Sequence, residues 1–221
     1  SPCSEIQGMR KITCPYEGEN FLFPIKRFEE KIIKHKPKLI FICNPNNPTG
    51  TVLSAKEIIK FANLNKKSLI VVDELYEKFN GDSLLPVIDF EKIKNIVIIQ
   101  SLSKTAGLAG LRIGFAFGNK NIIQYINKVT GPYDVNSFAV TAALAALNDK
   151  YYIDNYVTEV KKARKWIKKK FDSTNIRSHF SGGNYFLIWP NKNPEILTRQ
   201  MREKGILIRE MKNKKDIENS I

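Results

Sequence analysis

The chain has 221 residues, room for one large domain or for one domain with a smaller partner, and its 36 Lys plus Arg against 22 Asp plus Glu give a net charge of +14. Hydrophobic residues at 43% and charged residues at 26% match an ordinary soluble globular protein. The longest apolar runs, such as residues 69–72 and 96–99, are far too short to cross a bilayer, so no membrane partner is expected.

The chain opens on SPCSEIQGMRKITC, which carries charges and lacks the apolar core of a secretory signal. It has no initiator methionine, as expected of a piece of a longer chain. Cys3, Cys14 and Cys43 are odd in number and show no C-x-x-C spacing, which argues for a reducing cytoplasm over a disulfide framework. His35 and His179 lie far apart in sequence and read as surface or loop residues, so no metal site is expected.

Four continuous apolar runs follow, each ending in a polar or glycine-containing motif. LIFIC (39–43) leads into NPNNPTG, LIVV (69–72) into DELYEKF, IVIIQ (96–100) into SLSK, and IGFAF (113–117) into GNKN. Runs without alternation predict strands buried on both faces, as in the sheets of α/β proteins. Between them, Ser54 and Glu57 form a capping box ahead of Ile58, Ile59 and Phe61. Helices are also predicted over 119–129 and 137–147, the second rich in Ala and tightly packed, and over 153–171, with Ile153, Tyr156, Val160, Ile167 and Phe171 on one side. A strand over 185–189, a helix over 194–204 and a strand over 206–208 complete the chain. The first two-thirds is therefore α/β with a mostly parallel sheet. A smaller α+β unit follows, with the boundary near Asp149 dividing residues 1–149 from 150–221.

The lysines are spread along the whole chain among many Asn and Ile, which reads as codon bias rather than a designed patch. Their densest cluster, EVKKARKWIKKKF (159–171), reads as the solvated face of a helix. No nucleic-acid-binding signature accompanies the charge, so nucleic acid is not expected as a partner, and a nucleic-acid-binding protein stands only as a remote alternative.

SLSKTAGLAGLRIG (101–114) admits two chemistries. A serine nucleophile helped by Lys104 would need S-D-N-like and K-T-G-like partners; there is no S-D-N, and KTA overlaps the same lysine. A lysine nucleophile would form a Schiff base with the aldehyde of pyridoxal 5'-phosphate (PLP). Ligand crevices of open α/β sheets lie beyond the strand carboxyl ends, where these motifs sit. Asp73 there is either a cap or turn residue or the carboxylate that keeps a pyridine nitrogen protonated. Tyr76 is either a packed core tyrosine or a contact of the same ring. NPNNPTG (44–50), stiffened by Pro45 and Pro48, could aim the Asn47 amide at a ring hydroxyl. Arg112, with the hydroxyls of Ser101 and Ser103, could grip a phosphate, and Gly107 and Gly110 would let the backbone fold around it.

Taken together and in this order, Asn47-Pro48-Thr49-Gly50, Asp73 with Tyr76, and Ser101, Lys104 and Arg112 resemble the aminotransferase class I/II family, the fold type I PLP enzymes. Within it, LSKTAGLAGLRIG, PYDVNS (132–137) and EKGILIRE (203–210) are phrased like the histidinol-phosphate branch. The resemblance implies the aspartate aminotransferase-like fold: part of the large domain, then part of the small one. It implies a cytoplasmic homodimer in amino-acid biosynthesis. That enzyme would move an amino group between an amino acid or amino-phosphate substrate of the histidinol-phosphate kind and a 2-oxo acid, with Lys104 shuttling the proton. It further implies that Asp73 pairs with the pyridinium, Asn47 and Tyr76 touch the ring oxygen, and Ser101, Ser103 and Arg112 hold the cofactor phosphate. Arg209 is either a substrate-phosphate contact or a solvated arginine after an edge strand. A decarboxylase of a phosphorylated amino acid, like threonine-phosphate decarboxylase, is the alternative on the same fold. In the family a cofactor-phosphate turn and a ring-stacking aromatic precede the segment matched here, and a carboxylate-binding arginine follows it. The resemblance therefore implies a longer enzyme, with weak or no PLP binding by the 221 residues alone.

Overall fold

The computed structural model describes residues 5–79, 81, 83–212 and 217–221, so Cys3 lies outside the described residues. Strands β1 (Leu39–Cys43), β2 (Leu69–Asp73), β3 (Ile96–Ser101) and β4 (Gly114–Gly118) form one sheet in that order. The first three are parallel and β4 runs antiparallel to β3, the mostly parallel α/β sheet expected. Helices α1 (Ile25–His35) and α2 (Ala55–Leu64) belong to this unit. Ile32, Ile58, Phe61 and Ala62 from these helices form one core with Ile40, Ile42, Ile70, Val72, Ile96 and Ile98 of the strands. The expected capping box starts α2: Glu57 N–H donates to Ser54 Oγ at 3.3 Å, and Ser54 N–H donates back to Glu57 Oε2 at 2.9 Å.

Not every apolar run is buried on both faces. In β1, Ile40 and Ile42 point into the core while Phe41 is 67% exposed. As an edge strand β1 has one covered face, so its apolar run conceals a period of two.

Helices α3 (Lys120–Asn127), α4 (Ser137–Asn148) and α5 (Lys150–Asp172) follow, with Asn119, Asn136 and Asp149 as their side-chain N-caps. The expected tight packing of α4 is not what forms. Only Ala139 and Ala143 are buried, against Leu102 and Ile113, whereas Phe138 is 81% and Leu144 58% exposed. Two alanines one turn apart make a stripe too narrow to cover a helix that is apolar all round. On α5 the buried pair is Ile153 and Val157, packed on Phe79, and the partly exposed Tyr156 meets the Phe79 ring edge-on with centroids 6.3 Å apart. Its lysine-rich end is exposed as expected, with Lys162 paired to Glu159 at 2.8 Å and Lys168 to Asp172 at 2.7 Å.

The last third holds the antiparallel pair β5 (Arg177–Phe180) and β6 (Phe186–Trp189), then α6 (Pro194–Glu203). His179 is a half-buried strand residue here, not a surface or loop one, whereas His35 is exposed at the end of α1. The strand expected at 206–208 does not form: Leu207 is 77% exposed, and β6 exchanges its free-edge hydrogen bonds with Ile221 instead, at 3.0 and 3.1 Å. Among the described residues no helix is long and apolar enough to cross a membrane.

One buried carboxylate ties the unit together. Glu74, 1% exposed, accepts from Ser83 Oγ at 2.7 Å, Leu84 N–H at 2.8 Å and Gln100 Nε2 at 3.0 Å. Removing it strands three donors, so Glu74→Ala should lower stability in urea titration by about 2–4 kcal/mol, and Glu74→Gln by clearly less.

Candidate active site

Parallel pairing places Cys43, Asp73 and Ile99 in one row, at the carboxyl ends of β1 and β2 and two residues before that of β3. The chain leaves this row through three segments that carry the predicted chemistry. After β1, buried Asn44 ties the loop to its exit: Asn44 Nδ2 donates to Leu53 O at 2.9 Å, and Leu53 N–H donates to Asn44 Oδ1 at 2.8 Å. Inside the loop, Asn46 N–H donates to Thr51 O at 2.9 Å, Gly50 N–H to Asn46 O at 2.6 Å, and Asn46 Nδ2 to Thr49 Oγ1 at 2.8 Å. The Asn44–Pro45 and Asn47–Pro48 peptide bonds are both cis.

This scaffold directs the Asn47 amide outward, where its Nδ2 donates to Tyr76 Oη at 2.9 Å. Lys104 Nζ sits over the same tyrosine, 5.7 Å from the ring centroid. Asn47, Tyr76 and Lys104 thus converge although 57 residues separate the first from the last. Lys104 is half-buried and forms no ion pair among the described residues. Asp73, also half-buried, accepts the Leu75 N–H at 3.1 Å, and burial raises its pKa above the usual carboxylate value despite that hydrogen bond.

Ser101 and Ser103 meet through their hydroxyls at 2.7 Å, with Ser101 Oγ donating to Ile113 O at 3.0 Å. Arg112, next in chain to that carbonyl, has a left-handed φ of 57°. Its guanidinium is exposed and donates to Ala109 O at 3.1 Å, and among the described residues no hydrogen bond joins it to either serine. Arg209 is exposed on the stretch that does not form a strand, with no hydrogen bond to the Lys104 cluster. A cavity of about 500 Å³ between β3, β4 and the α4–α5 junction reaches Ser101 but not Lys104, Asn47 or Tyr76, so it borders this cluster rather than enclosing it.

Sequence reasoning missed the turn between β5 and β6. Tyr185 Oη donates to Asn46 O at 2.6 Å, and its ring meets Tyr76 edge-on with centroids 5.0 Å apart. Ser181 Oγ and Gly182 N–H both donate to Gly50 O, at 2.9 and 2.7 Å, and the His179 ring lies 2.8 Å from Thr49 O. Gly50 has φ +71°, and a Cβ there would lie 2.8 Å from the Ser181 side chain, so this approach needs glycine. Arg164, from within the lysine-rich run, turns inward to donate to Ser181 O. Spacing carries no trace of the contacts that join this turn to the 46–50 loop, across 130 or more residues.

The aminotransferase class I and II family model matches residues 1–214. Histidinol-phosphate aminotransferase of Caldanaerobacter subterraneus subsp. tengcongensis is 33% identical over 218 residues, covering 99% of this chain and 61% of that protein. The crystal structure of histidinol-phosphate aminotransferase from Sinorhizobium meliloti in complex with pyridoxal-5'-phosphate superposes with a TM-score of 0.82 at 24% identity, over 97% of this chain and 59% of that one. L-threonine-O-3-phosphate decarboxylase from Porphyromonas gingivalis gives a TM-score of 0.70 at 28% identity, over 80% of this chain and 55% of that one. The chain therefore spans about three-fifths of the length of the curated relatives it matches. By its matched length, its fold and its ordered motifs, it belongs to the aminotransferase class I and II family.

Proposed function

We propose that the protein is a PLP-dependent aminotransferase that moves an amino group from an amino-phosphate donor of the histidinol-phosphate kind to a 2-oxo acid. The observation that carries this reading is the convergence of Lys104, Tyr76 and Asn47 beside the strand-end row that holds Asp73. The donor set suits the cofactor: an unpaired amine, an amide and a phenol joined to each other, two touching hydroxyls, and a half-buried carboxylate with a single backbone donor.

Bound there, PLP supplies an aldehyde for the amino group and a ring that accepts electrons. Lys104 would be the amine set to receive the aldehyde and would hold and move the proton at the substrate Cα. Asp73 would keep the proton on the pyridine nitrogen, Asn47 and Tyr76 would donate to the ring oxygen, and Ser101, Ser103 and Arg112 would hold the phosphate. Arg209 is assigned to the substrate phosphate on the family resemblance alone. On this reading the domain junction falls near Asp149, and the end of α4 and start of α5 at that residue support it. The exposed apolar face of α4, Phe138 and Leu144 above all, supports a homodimer, and the unpaired thiols of Cys14 and Cys43 suit a cytoplasmic setting. Decarboxylation remains a second reading because the decarboxylase from Porphyromonas gingivalis shares the fold at 28% identity.

Borohydride should fix PLP to the full-length protein, and peptide mapping should find the added mass on Lys104; Lys104→Ala should lose it and lower turnover at least about 100-fold. Label that stays in place in the variant rules Lys104 out. Consumption of a 2-oxo acid marks transamination, whereas release of carbon dioxide from the amino-phosphate marks the second reading.

Asp73→Asn should weaken PLP binding yet raise the melting temperature of the PLP-free protein at pH 7. A carboxyl whose folded pKa is raised destabilises the fold above that pKa and not below its unfolded value, so the gain should fade as the pH falls toward about 4. Phe138→Asp should reduce the sedimentation coefficient from dimer to monomer without changing the far-UV spectrum.

A further inference from the structure

We propose that Tyr185, seated by Arg164, is a positioning residue for the Asn47–Tyr76 pair, so that the turn of the C-terminal hairpin sets the two contacts to the cofactor ring oxygen. This deepens the reading above and rests on it. Tyr185 acts on both members of the pair. Its hydroxyl donates to Asn46 O, one residue before Asn47, and its ring packs edge-on against Tyr76 at an interplanar angle of 89°. Burial raises the phenol's pKa well above the ordinary value, so Tyr185 remains a donor across the working range. The edge-on geometry also restricts where the Tyr76 ring can lie.

The same turn grips the loop from its other end. Ser181 Oγ and Gly182 N–H donate to Gly50 O, and His179 bonds Thr49 O. Asn47 lies between the two holds, and the direction of its amide follows from both. Arg164 on α5 keeps the turn seated through Ser181 O, although its Nε is buried without a partner and no carboxylate pairs with it among the described residues. A half-buried cation without a counter-ion is costly, and the Ser181 carbonyl is the hydrogen-bond partner that justifies its inward course. Gly183 completes the arrangement: a Cβ there would overlap the Tyr185 ring. The ring can hold its place against Tyr76 only while residue 183 has no side chain.

The test compares wild type with Tyr185→Phe, which deletes only the hydroxyl, and Gly183→Ala, which displaces the ring. Ile58→Val, in the distant core, serves as a variant that lowers stability without touching the turn. Two readouts are used: hydrogen exchange of the 46–51 peptide in PLP-free protein, and the pH midpoint of visible absorption of bound PLP. Both turn variants should speed exchange of that peptide about tenfold. Both should raise the midpoint by about 0.5 or more, because loosened donors stabilise the ring oxygen's anionic form less. Ile58→Val should leave both as in wild type. If wild type binds PLP and the turn variants match it in midpoint and exchange, the proposal is overturned. If the full-length wild-type protein takes up no PLP, the cofactor reading fails instead; unchanged exchange at 46–51 then still overturns the grip, and faster exchange supports it.

Discussion

The parallel register of β1, β2 and β3 is the constraint on which the rest depends. Because Cys43, Asp73 and Ile99 are aligned, the three chain exits begin within two residues of one level and on neighbouring lines. Strands in a sheet lie about 4.8 Å apart, so the loop that follows one can reach the residue that follows the next. Asn47 reaches Tyr76 across one such step, and Lys104 comes over the same ring from the far side of β2. Slipping one strand by a single residue would turn Asp73 into the core face that holds Ile70 and Val72. The core on that face, packed by α1 and α2, therefore fixes the chemistry on the other.

Two adjacent carboxylates show how the chain separates structure from chemistry. Glu74 is fully buried and satisfied by three donors, two of them from the segment leading to Leu84 and one from β3. Asp73, its neighbour, keeps a single backbone donor and spare acceptor capacity at a half-buried position. A satisfied buried acid stabilises a fold, whereas an unsatisfied one costs stability unless a cation arrives. The second condition is what a binding site looks like before its ligand is considered.

What the sequence made legible was whatever depends on short spacing. The capping box at Ser54 and Glu57, the strand-end motifs and the Ser101–Ser103 hydroxyl pair are all local, and each stands where spacing put it. Reading failed where the outcome turned on what lies next to an element. Phe41 looks like core in an apolar run, yet β1 is an edge strand. The alanine-rich α4 looks tightly packed, yet only one narrow stripe is covered. The apolar residues 206–208 look like a strand, yet Ile221 has taken the free edge of β6. Arg164 was hidden inside a solvated lysine run, because composition does not say which residue of a helix turns inward. The hydrogen bonds of Tyr185 and His179 to the loop span 130 or more residues, beyond the reach of any periodicity.

The hairpin's hold on the loop has one more consequence. The loop groups it uses are the carbonyls of Asn46, Thr49 and Gly50, main-chain acceptors rather than side chains. Backbone carbonyls in a compact loop need partners in any case, and here the C-terminal hairpin supplies them for Thr49 and Gly50 and adds a second donor to Asn46 O, which also accepts from Gly50 N–H. The fold thus spends the loop's main chain on docking and leaves the Asn47 amide free of it, directed at Tyr76. A loop held by its side chains would face a conflict between staying in place and contacting a ligand. Held by its backbone, it can do both, and for that reason the asparagine is best read as chemistry and the Tyr185 turn as its support.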